Sequence, residues 1–339
     1  MIKVFCFRPK TGHSLRSQRV LHLSLALASA ITLSLWLGCS SGSSSPQRMP
    51  QRAADSLETP TASKSPKSLY TYVFHQEVTL GNYFDVLDRL VRWLDSLTPY
   101  PLTEHLLVHA NPWLIDTLAQ TDYYHRMARG EFVFDARNLV VIRPGDALRI
   151  PDEATAHQLQ QRLDSLWLDL NIPEYRLRVM CGRDTLFSVL TRIGQNKRRF
   201  QQIPGRVEDL RTRTGRGHIV RINRAPTYFV DPHTGRRLYT TRRDDGRRTR
   251  MPQIPWIETE INGVRHGQML HPTTNPASLG KASSNGCIGY SEADAWRVYY
   301  HAPLGTPIVI RYDVDVPQAN GDTLRLRDIY GLRRKKHPK

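Results

Sequence analysis

Residues 271 to 290 read HPTTNPASLGKASSNGCIGY, which sets a histidine sixteen positions ahead of a cysteine held in a small-residue turn. A fold that uses this pair must deliver His271 at the end of one segment and Cys287 at the start of another, side by side. Ser283, Ser284, Asn285 and Gly286 leave the backbone open ahead of the thiol. A cysteine nucleophile needs an imidazole to draw off its proton and space for a substrate carbonyl. Cys287 is therefore the candidate nucleophile and His271 its candidate base. Free cysteine is equally at home as an inert core residue, so it is the combination that carries the chemistry. Gln268 to His271 reads as a short strand ending in the histidine, and His266 before it reads as a surface residue.

Charge narrows the setting. The chain has 339 residues, room for two domains, with 48 basic and 31 acidic side chains. Such a surface suits an acidic partner, whether nucleic acid, anionic lipid or a carboxylate-rich cell wall. The first residues decide among these: Lys3, Arg8, Lys10, Arg16 and Arg19 come without an acid, and Val20 to Leu37 is an uncharged apolar run. That is the pattern of a secretory signal, with a membrane anchor as the competing reading. Gly38-Cys39 at its end, followed by SSGSSSPQRMPQR, resembles a bacterial lipobox. The resemblance implies a signal peptide over residues 1–38, lipidation of Cys39, and a flexible tether over 39–68 too polar to form a core. An exported, lipid-anchored chain in the cell envelope, facing the periplasm, has no use for nucleic acid. The cysteines left after cleavage, Cys39, Cys181 and Cys287, make neither a disulfide framework nor a metal site. Cys181 is expected in a strand, buried or half-buried.

Order is expected from residue 69. Tyr70 to Phe74 alternates like a strand, and Tyr83, Leu87, Leu90, Val91 and Leu94 recur at helical spacing before Pro99 and Pro101. A second helix is expected at Glu104 to Ala110, and VVIRPGDALRI from Val140 to Ile150 reads as a strand broken by a turn. Residues 69–152 resemble an enlarged LysM fold with an insert from Leu114 to Asn138; a helical cap on the following domain fits the same pattern. Leu159, Leu163, Leu166 and Leu170 share a helical face, so residues 153–172 are expected to be a linking helix. Residues 313–339 form an extension with a basic tail.

Residues 173–312 resemble the L,D-transpeptidase catalytic domain (YkuD-like). Its signature is a strand ending in histidine, a linker, and Ser-x-Gly-Cys followed by a hydrophobic residue, here His271 and Ser284-Asn285-Gly286-Cys287-Ile288. Tyr175 to Met180, Val189 to Gly194, Arg213-Thr-Gly-Arg-Gly, a helix over Glu292 to Tyr300 and Leu304 to Ile310 follow in the family's order. The resemblance implies an α+β chain: a mainly β catalytic domain behind a smaller α/β, LysM-like or cap, domain. It implies peptidoglycan stem peptides as substrate, acylation of Cys287, 3→3 cross-links and no cofactor or metal. Pro272 would orient His271 through its carbonyl, and Gly286 would offer an oxyanion N–H. Ser284 and Asn285 would line the substrate site. The family's commonest version has an arginine where this chain has Gly289, so the substrate carboxylate needs another cation; Arg242, Arg243 and Arg247 are the candidates. A carboxypeptidase or other hydrolase of the same fold, and a silent wall-binding lipoprotein, are the competing functions.

Overall fold

The computed structural model describes residues 68–201, 205–224, 239–242, 246–318 and 320–332. The signal segment, Cys39, the tether, Arg243 and the basic tail lie outside the described residues.

In the N-terminal region β1 (Ser68–Val73) pairs antiparallel with β2 (Ala147–Pro151). Between them come α1 (Tyr83–Asp95), α2 (Glu104–His109), α3 (Trp113–Ala119) and α4 (Tyr123–Ala128). The helical spacing of Tyr83, Leu87, Leu90 and Leu94 gives α1 one apolar face, and those four residues are buried. Thr103 opens α2 by accepting the Leu106 N–H at 3.1 Å, and Asp122 opens α4 by accepting from Tyr124 and His125.

α5 (Glu153–Asp164) starts at Asp152, whose side chain accepts the Thr155 N–H at 2.9 Å. It ends sooner than the leucine spacing suggests. Leu166 to Leu170 belongs instead to β3 (Leu166–Asn171), so the expected linking helix over 153–172 is half helix and half strand. The reason is that Leu166, Leu168 and Leu170 also satisfy the period of two, and tertiary pairing on both edges decides between the two periods.

β3 opens the main sheet. It continues with β4 (Arg176–Cys181), β5 (Asp184–Leu190), β6 (Gly215–Asn223), β7 (Trp256–Ile261), β8 (Met269–Pro272), β9 (Ile288–Tyr290) and, after α6 (Glu292–Tyr300), β10 (Pro307–Arg311). The eight strands lie in the order β9-β8-β7-β6-β10-β3-β4-β5. Pairs β8–β9 and β10–β3 are parallel and the rest antiparallel. The architecture is thus mainly β with a few helices. Cys181, at the end of β4, is half-buried, and its sulfur lies 3.0 Å from Ser165 Oγ.

α6 ties the sheet to the N-terminal helices. Tyr83 and Tyr300 hydroxyls meet at 2.7 Å, and ring nitrogens of His105 and His109 lie 3.2 and 2.7 Å from the Tyr299 and Tyr300 carbonyl oxygens. Glu104 accepts from both the Tyr299 and Tyr300 hydroxyls, at 3.0 and 2.9 Å. With Trp296, Tyr299 and Tyr300 wholly buried, this seam is core rather than a contact between independent modules.

Candidate active site

Adjacent strands β8 and β9 carry the site. Their parallel register sets Leu270 against Ile288, His271 against Gly289 and Pro272 against Tyr290. Register partners face the same side of a sheet, and so do residues two apart along a strand. Cys287 comes immediately before β9, and its Sγ accepts the Met269 N–H of β8 at 3.5 Å, two residues before His271 on that strand. This placement follows from the short return between the strands, in which Pro276–Ser278 forms a single 3-10 turn and Ala282–Ser284 pairs with Ile193–Gly194.

His271 is buried, and its ring stacks on Trp256 with centroids 4.2 Å apart. Nδ1 lies 2.8 Å from the Pro272 carbonyl oxygen. A carbonyl only accepts, so Nδ1 carries the proton and Nε2 is left as the basic nitrogen. Burial, then the nearby Arg192 charge, lower the imidazole pKa to about 4, against the pull of the Pro272 carbonyl. The ring is neutral at neutral pH. Burial pushes the Cys287 thiol up, opposed by the Met269 N–H, which donates to Sγ at 3.5 Å, and by the charge of Arg192. Thiol and imidazole thus rest as a neutral pair, and a proton must move as the sulfur attacks.

The turn ahead of Cys287 is fixed from several sides. Ser284, buried, donates its hydroxyl to the Cys287 carbonyl at 2.6 Å and accepts the Gly286 N–H at 3.2 Å. The sequence reading reserved that N–H for an oxyanion; here it is directed to Ser284 Oγ. Gly286 has φ +112°, and a Cβ there would stand 2.7 Å from Gln268 Nε2, so only glycine fits. Gln268 bridges to the Arg211 carbonyl and the Arg213 N–H, both at 2.9 Å. Thr212 donates to the Gly286 carbonyl at 2.9 Å and accepts the Gly194 N–H at 2.8 Å. The Tyr330 hydroxyl accepts the Thr212 N–H at 3.2 Å and donates to the Gly194 carbonyl at 2.6 Å. The supporting roles of Gln268, Thr212 and Tyr330 went unread in the sequence because nothing local marks a residue that supports a turn from a distant segment.

The other expected site residues divide. Asn285 is exposed at the mouth, within 3.3 Å of both Gln195 Nε2 and Gln201 Oε1. Beside it a groove of about 1160 Å³ runs along the hairpin Arg198–Gln201/Arg206–Asp209, with Arg199, Arg206, Arg213 and exposed His266 on its walls. Arg242 is not a substrate ligand: only 2% exposed, it is ion-paired to Glu292, the first residue of α6, and lies 4.0 Å from the Tyr123 ring centroid. Burial of Glu292 demands a buried cation, which is why this arginine is inside. Arg247 is exposed and sits over the Phe132 ring. Arg192, which sequence reasoning passed over, is the described arginine whose charge acts on both His271 and Cys287.

Residues 165–310 match the family model of the L,D-transpeptidase catalytic domain, YkuD. This segment is a YkuD-type L,D-transpeptidase catalytic domain. It begins with β3, so the start expected at residue 173 moves back to take in the whole strand. Among solved structures the chain is similar to an L,D-transpeptidase from Mycobacterium tuberculosis H37Rv, at 15% identity and TM-score 0.27, covering 43% of this chain and 57% of that one. An L,D-transpeptidase from Xylanimonas cellulosilytica matches at 14% identity and TM-score 0.31, over 60% of this chain and 92% of the other. The catalytic domain of the E. faecium L,D-transpeptidase matches at 13% and 0.28, over 43% and 96%. The chain spans 57% and 58% of the length of the two mycobacterial relatives at the head of these matches. None of the curated proteins matches the chain.

Proposed function

We propose that Cys287 is acylated by peptidoglycan stem tetrapeptides and that the acyl group passes to an amine of a neighbouring stem, forming a 3→3 cross-link. Sγ attacks the carbonyl of the third stem residue while His271 Nε2 takes the thiol proton. The C–N bond to the terminal D-alanine breaks, His271 returns the proton to the leaving amine, and a thioester remains. Attack by the acceptor amine forms the new amide, releases the sulfur and gives one proton back through His271. The observation that carries this reading is the β8–β9 pairing, which brings Cys287, immediately before β9, against the Met269 N–H of the strand whose His271 has its Nδ1 held by the Pro272 carbonyl. Incubating the protein with a disaccharide tetrapeptide and analysing the muropeptides tests it. A 3→3 dimer is expected, tripeptide alone would make the enzyme a carboxypeptidase, and unaltered tetrapeptide would remove the reading.

The N-terminal region fits a structural cap better than a separate glycan-binding module, because Tyr83, Glu104, His105 and His109 are built into α6. Deleting residues 69–152 should leave an insoluble chain; a soluble, folded remainder that had lost only wall binding would favour the module. The same proposal sets the chain in the cell envelope on a lipid at Cys39, which mass analysis of the membrane fraction would show.

A further inference from the structure

Gly289 lies between two functional side chains. On one side its register partner is His271; on the other it pairs with Arg192, whose N–H donates to the Gly289 carbonyl at 2.7 Å and whose carbonyl accepts the Gly289 N–H at 3.0 Å. His271, Gly289 and Arg192 therefore form one row across three segments, and Cys287 stands two positions along the chain from its centre. The Arg192 side chain occupies the space above the glycine: a Cβ on Gly289 would stand 2.5 Å from Arg192 Nε and 2.8 Å from its Cγ.

That guanidinium is incomplete. Its Nε is buried without a hydrogen-bond partner, and among the described residues no carboxylate pairs with it. Other arginines around α6 and the sheet core have carboxylate partners, as Arg242 has in Glu292 and Arg311 in Asp169. A half-buried guanidinium left without an anion is costly, and a carboxylate is the group that answers its charge. The groups facing it from the neighbouring segments, His271 and Cys287, are both neutral at rest, so nothing there supplies the missing anion.

We propose that Arg192 binds the C-terminal carboxylate of the residue that departs when Cys287 is acylated, and that position 289 is glycine so that this guanidinium can reach across the strand. The inference rests on the acyl-transfer reading above. The leaving residue's carboxylate is one residue beyond the scissile carbonyl, which suits a cation one strand over from the nucleophile. Arg192 then does from a neighbouring segment what an arginine at position 289 would do from the nucleophile's own strand.

Equilibrium binding to the Cys287→Ala protein separates this inference from the chemistry. A disaccharide tetrapeptide and the same compound with a C-terminal amide are titrated against it, with and without Arg192→Gln. The free acid should bind about 10- to 100-fold more tightly than the amide, as expected for a charge-assisted pair. Arg192→Gln should bring the acid down to the amide's level and leave the amide unchanged, and Arg192→Lys should recover part of the difference. Gly289→Ala, which forces only a flexible side chain aside, should reproduce the acid-specific loss in smaller measure. An acid-to-amide ratio unchanged by Arg192→Gln, or a loss equal for both ligands, overturns the role of Arg192. Failure of the Cys287→Ala protein to bind either ligand overturns it too, and if the wild-type protein also forms no thioester, the acyl-transfer reading falls with it.

Discussion

Two arginines, Arg242 and Arg192, show how differently this fold treats positive charge. Arg242 is enclosed: Glu292 takes one arm, Thr249 Oγ1 accepts from Nε at 2.9 Å, and Tyr123 covers its face. Arg192 is half-buried over Gly289 with its Nε unanswered. The first is a finished ion pair that anchors α6 to α4, and the second is an unfinished one beside the candidate nucleophile. Completed pairs hold a fold in place, and a pair with one member missing is where a ligand belongs.

The comparison breaks most visibly at Glu292. Glu292→Ala leaves Arg242 charged and buried and also deprives the Tyr123 N–H of its acceptor at 3.1 Å. The expected cost is about 3–5 kcal/mol, read as a lower urea midpoint. A loss under about 1 kcal/mol would mean that the pair is not the anchor described here. His271→Ala comes next, slowing acylation by about 10² or more while the protein stays folded. A comparable loss from His266→Ala, with His271→Ala harmless, would move the base to the groove.

The pH profile sharpens the same point. His271 acts as a base only when unprotonated, and its pKa is lowered to about 4 by burial and Arg192. Acylation should therefore persist as pH falls through 6.5 and drop only near 4. An acid limb near 6.5 would say that the imidazole is solvated in the working enzyme. Arg247→Ala should do least: an exposed residue over Phe132 is worth within about 0.5 kcal/mol, with acylation unchanged. A marked loss of activity would restore Arg247 to the substrate site.

Much of this was legible in the sequence because it is written in local pattern. The small-residue turn before Cys287, the short strand that carries His271 and the helix Glu292–Tyr300 each declare themselves within a few residues. The leucines of 159–170 fit both a helix and a strand, and only the partners of β3 on either side choose. Arg242 was misread for a similar reason: its partner Glu292 is fifty positions away, so an arginine already paired in the interior looks like a cation open to a substrate. Arg192 stayed hidden because its meaning depends on what is missing at Gly289, a relation made by register and not by spacing.

The central claim concerns one sulfur, and intact-protein mass spectrometry of residues 69–339 with a disaccharide tetrapeptide tests it most directly. The account predicts an adduct of the acyl donor less its terminal D-alanine, mapping to Cys287 and absent from Cys287→Ala. An adduct that survives the substitution, or one that maps to Cys181, would contradict it.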